Sequence, residues 1–448
     1  MRKKLVLIVI DGLTPVMLEH AVEGGRAPAL AFLVQNGRYA HGVSTFPSLT
    51  PVCLSSIATG AHPDVHHIPH LVWYHRTERR IVEYGSSFAA LRAAGTRQSI
   101  NDAVFNMNEQ HLGRDAVTLY EGLEEAGYTT AVVNFTCYRG RTRHLSTLPG
   151  FGRPAFGPKR FFFYSLFESD RTGAPLGVLG RAGGSLDAYA AAVGRWLVTR
   201  DGFDLLVYYL PDYDFASHTA GPNAAHVALE RADRSIYALL EAAGGPEAFL
   251  ERYAVILCSD HGQSHVERTA HLDRRFVADD VVVTASNRAA MVYRTGSRDE
   301  PGKLARRLDG DEAVGVVLYA EDGTAVARRD GEELRFEPEP GGGWRTSGDL
   351  AILDQPDALE RAWAALRNPN AGELIVSAAS GYDFADLAGR SHAGGGSHGS
   401  LEAADSEVPL LTIGVDGAPR GITDIAPLAL THFGVEPPAY SRDLAHAA

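Results

Sequence analysis

Several places in this 448-residue chain set metal-binding or nucleophilic side chains at the end of an apolar run. Asp11 closes the run Leu5-Val-Leu-Ile-Val-Ile10. Asp214 and His218 follow the run of residues 205–210 and stand four apart, so one helical turn would put both on the same side. Asp260-His261 comes one residue after Ala254-Val-Ile-Leu-Cys258. Carboxylate oxygen and imidazole nitrogen are ordinary zinc ligands. Taken singly, each has a plainer reading: a surface pair or cap for Asp214 and His218, and a strand-end turn for Asp260-His261 or Asp11-Gly12. Their combination, in this order and at these positions, is what points to a shared site. Thr45-Phe-Pro-Ser-Leu-Thr50-Pro51 adds hydroxyls. Thr50 before Pro51 suits a loop-to-helix junction, where the positive end of a helix attracts anions. On this segment alone, Thr50 as a simple helix cap is the plainer reading.

The elements that must position these residues are legible as short apolar runs at 5–10, 130–133, 205–210, 255–258 and 410–413. Continuous rather than alternating hydrophobicity is expected of parallel strands covered on both faces. Helical stretches at 51–58 and 224–242 lie between them. This alternation predicts an α/β fold, a three-layer sandwich with a mainly parallel sheet. In such sheets ligands gather beyond the carboxyl ends of the strands, so distant polar residues would meet at one edge. Residues 281–390 read differently, with a hairpin turning at Asp322-Gly323 and a Gly-rich loop at 337–343. The expected organisation is a catalytic domain of 1–280 and 391–448 with a smaller, cap-like α+β insertion at 281–390.

The 42 basic and 55 acidic residues leave a formal charge of −13, which speaks against binding a nucleic-acid duplex through its backbone. A small phosphate substrate stays open, since a bound metal can invert the local field. Cys53, Cys137 and Cys258 lack CxxC spacing, and free thiols in a reducing, cytoplasmic setting are expected. The N-terminal apolar run is too short for a signal segment and reads as a first strand. No run approaches the length of a membrane span, and no membrane association is expected. His62, His66, His67, His70 and His75 lie in a Pro-containing loop without tetrahedral ligand spacing, so structural or rim roles are expected.

With these residues in place, the chain resembles the alkaline phosphatase superfamily, and within it the type I phosphodiesterase/nucleotide pyrophosphatase family. The resemblance rests on Val9-Ile-Asp11-Gly12, Phe46-Pro-Ser-Leu-Thr50 with Thr59-Gly60 following, Leu210-Pro-Asp-Tyr-Asp214-Phe-Ala-Ser-His218, Ser259-Asp260-His261-Gly262 and Gly396-Ser-His398-Gly399. It implies two metal sites, expected to hold zinc, with manganese as the alternative. Asp11, Thr50, Asp260 and His261 would surround one ion; Asp214, His218 and His398 would hold the other. It also implies Thr50 as nucleophile, with Thr45 its rival, and a phosphothreonine intermediate in the hydrolysis of a small phosphodiester or nucleotide pyrophosphate. Phosphonoacetate-hydrolase-like and phosphomonoesterase activities are the alternatives within the superfamily. A non-catalytic metal-binding module is the alternative of another class, although every expected ligand position is filled. Many members hold a phosphate oxygen with an asparagine shortly after a His-Gly pair; in His66-His67-Ile-Pro-His70-Leu71 that place is taken by Leu71. Asn134, Arg139 and Arg141 are the candidate replacements, and Trp73, Tyr74 and residues 161–164 are candidate apolar walls.

Overall fold

The computed structural model describes residues 2–147, 153–169, 185–276 and 280–441. Its central sheet has eight strands. In chain order they are β1 (Lys4–Ile10), β2 (Arg38–Val43), β3 (Thr130–Val133), β4 (Arg160–Phe163), β5 (Phe167–Glu168), β6 (Leu205–Leu210), β7 (Tyr253–Cys258) and, far along the chain, β15 (Glu407–Ile413). Their order across the sheet is β2-β15-β7-β1-β6-β3-β4-β5. The five strands from β7 to β4 run parallel.

β1 shows why the sheet must be covered on both faces. Val6, Ile8 and Ile10 belong to one buried cluster, and Leu5, Leu7 and Val9 to another. Successive side chains alternate between faces, so a strand apolar at every position needs helices on both sides. Pro28–Asn36, Leu186–Thr199 and His226–Ala242 cover the first face; Thr50–Thr59, Leu119–Glu125 and Ile425–His432 cover the second. Burying each such aliphatic side chain is worth roughly 1.5–3 kcal/mol, against about 0–1 kcal/mol for an exposed ion pair. The apolar alternation, not surface charge, therefore holds β1 at the centre.

The run at 410–413 departs from expectation. It lies in β15, which pairs antiparallel with β7. The reason is spatial. Residues 396–400 sit at the carboxyl edge of the parallel strands, and β15 starts only a few residues later. A parallel entry would need a crossover of a dozen or more residues back to the opposite edge.

Residues 281–378 form a second, seven-stranded antiparallel sheet. Its members are β8 (Val281–Ser286), β9 (Ala289–Arg294), β10 (Val314–Glu321), β11 (Thr324–Arg329), β12 (Glu332–Pro338), β13 (Trp344–Gly348) and β14 (Leu374–Ala378), in the order β8-β9-β14-β10-β11-β12-β13. The hairpin β10–β11 closes on Asp322 and Gly323, both at positive φ (49° and 86°), as a two-residue turn matching strand twist requires. Two buried clusters pack on this sheet.

Candidate active site

Because β1, β6 and β7 run in the same direction, their carboxyl ends deliver Asp11, the Asp212–Ala220 helix and Asp260-His261 to one edge. Asp214 and His218 share one turn of that helix, and His218 Nε2 lies 3.1 Å from Asp214 Oδ2. His398 follows the second sheet in the chain, and its Nε2 lies 3.9 Å from Asp214 Oδ1. The rings of His261 and His398 stack at 3.6 Å. Asp214, His218 and His398 offer ligand atoms that all lie within 4.8 Å of one another, and so do Asp11, Asp214 and His261. Asp214 thus stands in both groups. Asp260 Oδ2 is 3.3 Å from His261 Nε2.

Thr50 opens the Thr50–Thr59 helix, whose N-cap is Leu49. Its hydroxyl caps nothing; Oγ1 lies 3.2 Å from His261 Nε2. Thr45 is buried elsewhere, accepting from Ser56 Oγ at 3.2 Å and facing Cys53 Sγ. Gly12 allows the close approach of these elements. It has φ +67°, and a side chain there would run into Gln263 and Asp214. Its N–H donates to Asp260 Oδ1 at 3.1 Å.

The donor set fits divalent cations. All three histidines donate Nδ1–H to a backbone carbonyl: His218 to Gly396 at 2.8 Å, His261 to Gly262 at 3.0 Å and His398 to Ser48 at 2.7 Å. That leaves each Nε2 with a lone pair, and such outer bonds orient metal-bound imidazoles. His261 Nε2 faces Asp11 Oδ1 and Asp260 Oδ2, both at 3.3 Å. A lone pair facing two carboxylate oxygens is repulsive unless a positive charge lies among them. Both Asp11 Oδ1 and Asp260 Oδ2 are buried without a hydrogen-bond partner.

The carboxylates respond accordingly. Burial and the charges of Asp260 and Asp214 hold the Asp11 carboxyl well above the usual carboxylate range. Burial also raises Asp260. Burial would raise Asp214 too, but its pairing with His218 outweighs this and pulls Asp214 down, while for His218 the nearby Asp214 outweighs burial and pushes it up. Burial and the neighbouring His261 press His398 well down, toward its neutral, ligating form.

Thr50, Asp11, Asp214, His218 and His398 line a cleft of about 580 Å³. Its far wall is apolar: Leu71, Val104, Met107, Phe163, Leu166 and Phe215. No Lys or Arg is among its described lining residues.

The three proposed phosphate ligands do not reach this cleft. Asn134 is buried behind it, at φ 61°, and its Oδ1 accepts from the Tyr164 N–H at 3.0 Å, so it shapes the cleft wall only through the backbone. Arg139 is bound to Glu121 at 3.2 Å and to the carbonyls of Leu112, Gly113 and Ala116. Arg141 is exposed, 3.1 Å from Glu125. Of the expected apolar walls, Phe163 and Tyr164 line the cleft, whereas Trp73 is buried beside the second sheet and Tyr74 packs on Tyr293. His66 and His70 are fully buried, and burial lowers their pKa values to about 3 and about 4. Sequence reasoning missed the buried partners of the ligand set. The Tyr209 hydroxyl donates to Asp11, the Gln263 amide to Asp214, and Asn287 Nδ2 to His398 Nε2 at 3.0 Å. His392 stacks on His218 at 4.0 Å and is held by buried Asp383 at 3.1 Å. Gln263, two residues after His261, was the one with a positional signal.

A mainly parallel sheet, buried carboxylates and histidines at its carboxyl edge and a helix-opening threonine define a metal-dependent phosphohydrolase of the alkaline phosphatase superfamily. More narrowly, the model of the type I phosphodiesterase/nucleotide pyrophosphatase family matches residues 5–401, and the chain belongs to that family. It is a hydrolase acting on phosphoric ester or phosphoanhydride bonds. Among solved structures, phosphonoacetate hydrolase from Sinorhizobium meliloti 1021 in complex with phosphonoformate is similar with a TM-score of 0.64 at 19% identity, covering 96% of each chain. Murine ectonucleotide pyrophosphatase/phosphodiesterase 5 is similar with a TM-score of 0.61 at 12% identity, covering 99% of this chain and 98% of that one. An inactive variant of the murine protein, in complex with AMP, superposes equally well, with a TM-score of 0.61 at 13% identity. The chain matches none of the curated proteins. No helix among the described residues is long and apolar enough to cross a membrane.

Proposed function

We propose that this chain hydrolyses small phosphodiesters through a phosphothreonine at Thr50, with two zinc ions as cofactors. The observation that carries the reading is the convergence of three histidine Nε2 atoms and three buried carboxylates beside the Thr50 hydroxyl. Asp11, Thr50, Asp260 and His261 would hold one ion, and Asp214, His218 and His398 the other. Bound zinc supplies Lewis acidity, stabilising negative charge on phosphoryl and hydroxyl oxygens. The protein's own part is positioning. Thr50 Oγ1 is held beside His261 and at the positive end of its helix, where a phosphate is favoured. Attack by Oγ1 on phosphorus forms the phosphothreonine and expels the alcohol on the opposite side. The departing oxygen takes up the proton that Thr50 gives up; water then adds its hydroxyl to phosphorus and its proton to Oγ1, which cleaves the Thr50 O–P bond, restores Thr50 and releases the phosphate monoester. Tyr209 and Gln263 keep Asp11 and Asp214 in place without binding substrate, and Ser48 orients His398 through Nδ1, so that Nε2, which accepts from Asn287, would pass to the ion.

The apolar far wall, which holds no Lys or Arg, favours an ester with an apolar substituent over a bare phosphate dianion. Residues 281–390 are read as a cap-like insertion that shapes the cleft mouth and supplies no ligand side chain to either ion. The three cysteines are free and buried, which fits a reducing, cytoplasmic setting.

The test is Thr50→Ala in the zinc-loaded chain, with bis-p-nitrophenyl phosphate as substrate. Turnover is expected to fall at least about 10³-fold, or about 4 kcal/mol in transition-state stabilisation, with zinc content nearly unchanged. Activity within tenfold of the parent would remove Thr50 as nucleophile.

A further inference from the structure

The cleft around Thr50 has no Lys or Arg among its described side chains, but its neighbour has two arginines. A second cavity of about 470 Å³ adjoins it, with Ser86, Asn287 and His392 lining both. Arg92, from the Phe88–Ala94 helix, and Arg390, from the loop leading to His398, stand in its walls. Arg92 lies over the Phe88 ring, 5.2 Å from its centroid, and that ring is 70% exposed. No ion pair of Arg92 or Arg390 occurs among the described residues. The cavity's one carboxylate, Asp386, is already engaged. It accepts from Ser87 Oγ at 2.5 Å and from the backbone N–H groups of Ala388 and Arg390 at 2.8 Å each. Of the charged side chains that line this cavity, two are guanidinium groups and one is a carboxylate, while the carboxylates of Glu83 and Asp383 lie behind Ser86 and His392, on a chain whose formal charge is −13.

Its position gives the charge a meaning. In phosphoryl transfer the attacking and leaving oxygens lie roughly in line. Thr50 Oγ1 stands against His261. The second cavity borders the ligand set where His392 stacks on His218 and Asn287 touches His398. With Thr50 paired with one ion and His218 and His398 with the other, as proposed above, the leaving group is put toward this cavity. We infer that Arg92 and Arg390 form a subsite for an anionic group, a carboxylate or a phosphate, carried by the leaving group beyond the scissile phosphorus. Guanidinium groups suit both anions, which they bind through paired N–H donors. The exposed Phe88 ring offers a flat apolar surface beside them for the body of the leaving group. The assignment of the leaving side rests on the phosphodiesterase reading above; the anion site itself does not.

The experiment has two arms on the full chain. In the first, the zinc-loaded protein is given phenyl 4-nitrophenyl phosphate and its analogue with a carboxylate on the nitrophenyl ring, and the ratio of their kcat/KM values is measured. Phenyl triphosphate, whose leaving group is pyrophosphate, distinguishes phosphate from carboxylate recognition. In Arg92→Ala/Arg390→Ala the ratio favouring the anionic ester should fall about tenfold, mainly through KM, and Arg92→Lys/Arg390→Lys should restore part of it. The second arm titrates 5-hydroxy-2-nitrobenzoate and pyrophosphate into metal-stripped protein by calorimetry, and at least one should bind about tenfold more weakly to the double alanine variant. If the ratio is unmoved, or neither anion's binding depends on the arginines, the subsite is refuted even though turnover persists. If no ester is turned over but arginine-dependent binding is seen, the phosphodiesterase reading falls and the anion site stands.

Discussion

Asp11 offers the sharpest test of the metal site, because removing its charge should have opposite effects with and without zinc. Its ligand oxygen and that of Asp214 lie within 4.8 Å of each other. At an effective dielectric of about 20, two unit charges at that distance repel by about 3.5 kcal/mol. Asp11→Asn keeps an oxygen to accept the Tyr209 hydroxyl and removes the charge. In the chelated protein the parent relieves part of the repulsion by protonation, so the variant should be more stable by about 1–3 kcal/mol. The sign with pH follows from the direction of the shift. A carboxyl whose folded pKa is raised contributes fully below its unfolded pKa, and that stability is lost as pH rises through the folded value. The metal-free parent should therefore lose stability above the ordinary carboxylate range, and Asp11→Asn should flatten that loss. Zinc acts in the opposite sense. At a free concentration of about 100 Kd each ion adds about 2.7 kcal/mol. With an unfolding entropy of about 2.1 cal/mol/K per residue, a chain of this length gains about 3 °C per ion. The parent should then gain about 6 °C and the variant about half of that. Differential scanning calorimetry after chelation, with and without zinc, across pH 4–8 reads all of this. A metal-free Asp11→Asn protein that melts below the parent, or equal zinc shifts in both, would refute the reasoning.

Two further outcomes follow from the same geometry. Thr45→Ala should retain most turnover, because Thr45 faces Cys53 and Ser56 inside the fold; loss of activity in zinc-loaded Thr45→Ala with intact Thr50 would contradict the placement. Diesters should be preferred to monoesters, since the cleft adds no described cation for a second phosphate charge; kcat/KM for p-nitrophenyl phosphate exceeding that for its bis ester by more than about tenfold, or about 1.4 kcal/mol, would overturn this.

The edge where the chemistry gathers was legible because parallel strands are uninterrupted apolar runs and their carboxyl ends all face one way. Asp11, Asp214 and Asp260 need only that rule to be placed near one another. His398 does not follow from it, since a whole second sheet separates it from β7 in sequence, and only its Gly-Ser-His-Gly setting marked it. The direction of β15 was hidden for a related reason: hydrophobicity reports burial on both faces but carries no sign for strand direction.

What escaped sequence reading is the set of contacts that close over the ligands, and there the physics is that of competition. Arg139 sits near a strand end, where a phosphate-binding arginine would be useful, but a nearer anion claims it. Thr118 and Glu121 form a capping box at the start of the Leu119–Glu125 helix, and Glu121 also binds the Arg139 guanidinium, which three carbonyls then saturate. Trp73 fails as a cleft wall by the same logic, since the second sheet offers it complete burial. The cleft is lined instead by apolar residues such as Val104, Met107 and Leu166, which also pack into the core behind it. A polar or aromatic residue near a strand end is thus free for substrate only when no closer partner satisfies it. By that criterion Arg92 and Arg390, rather than Arg139 and Arg141, are the guanidinium groups left available beside this active site.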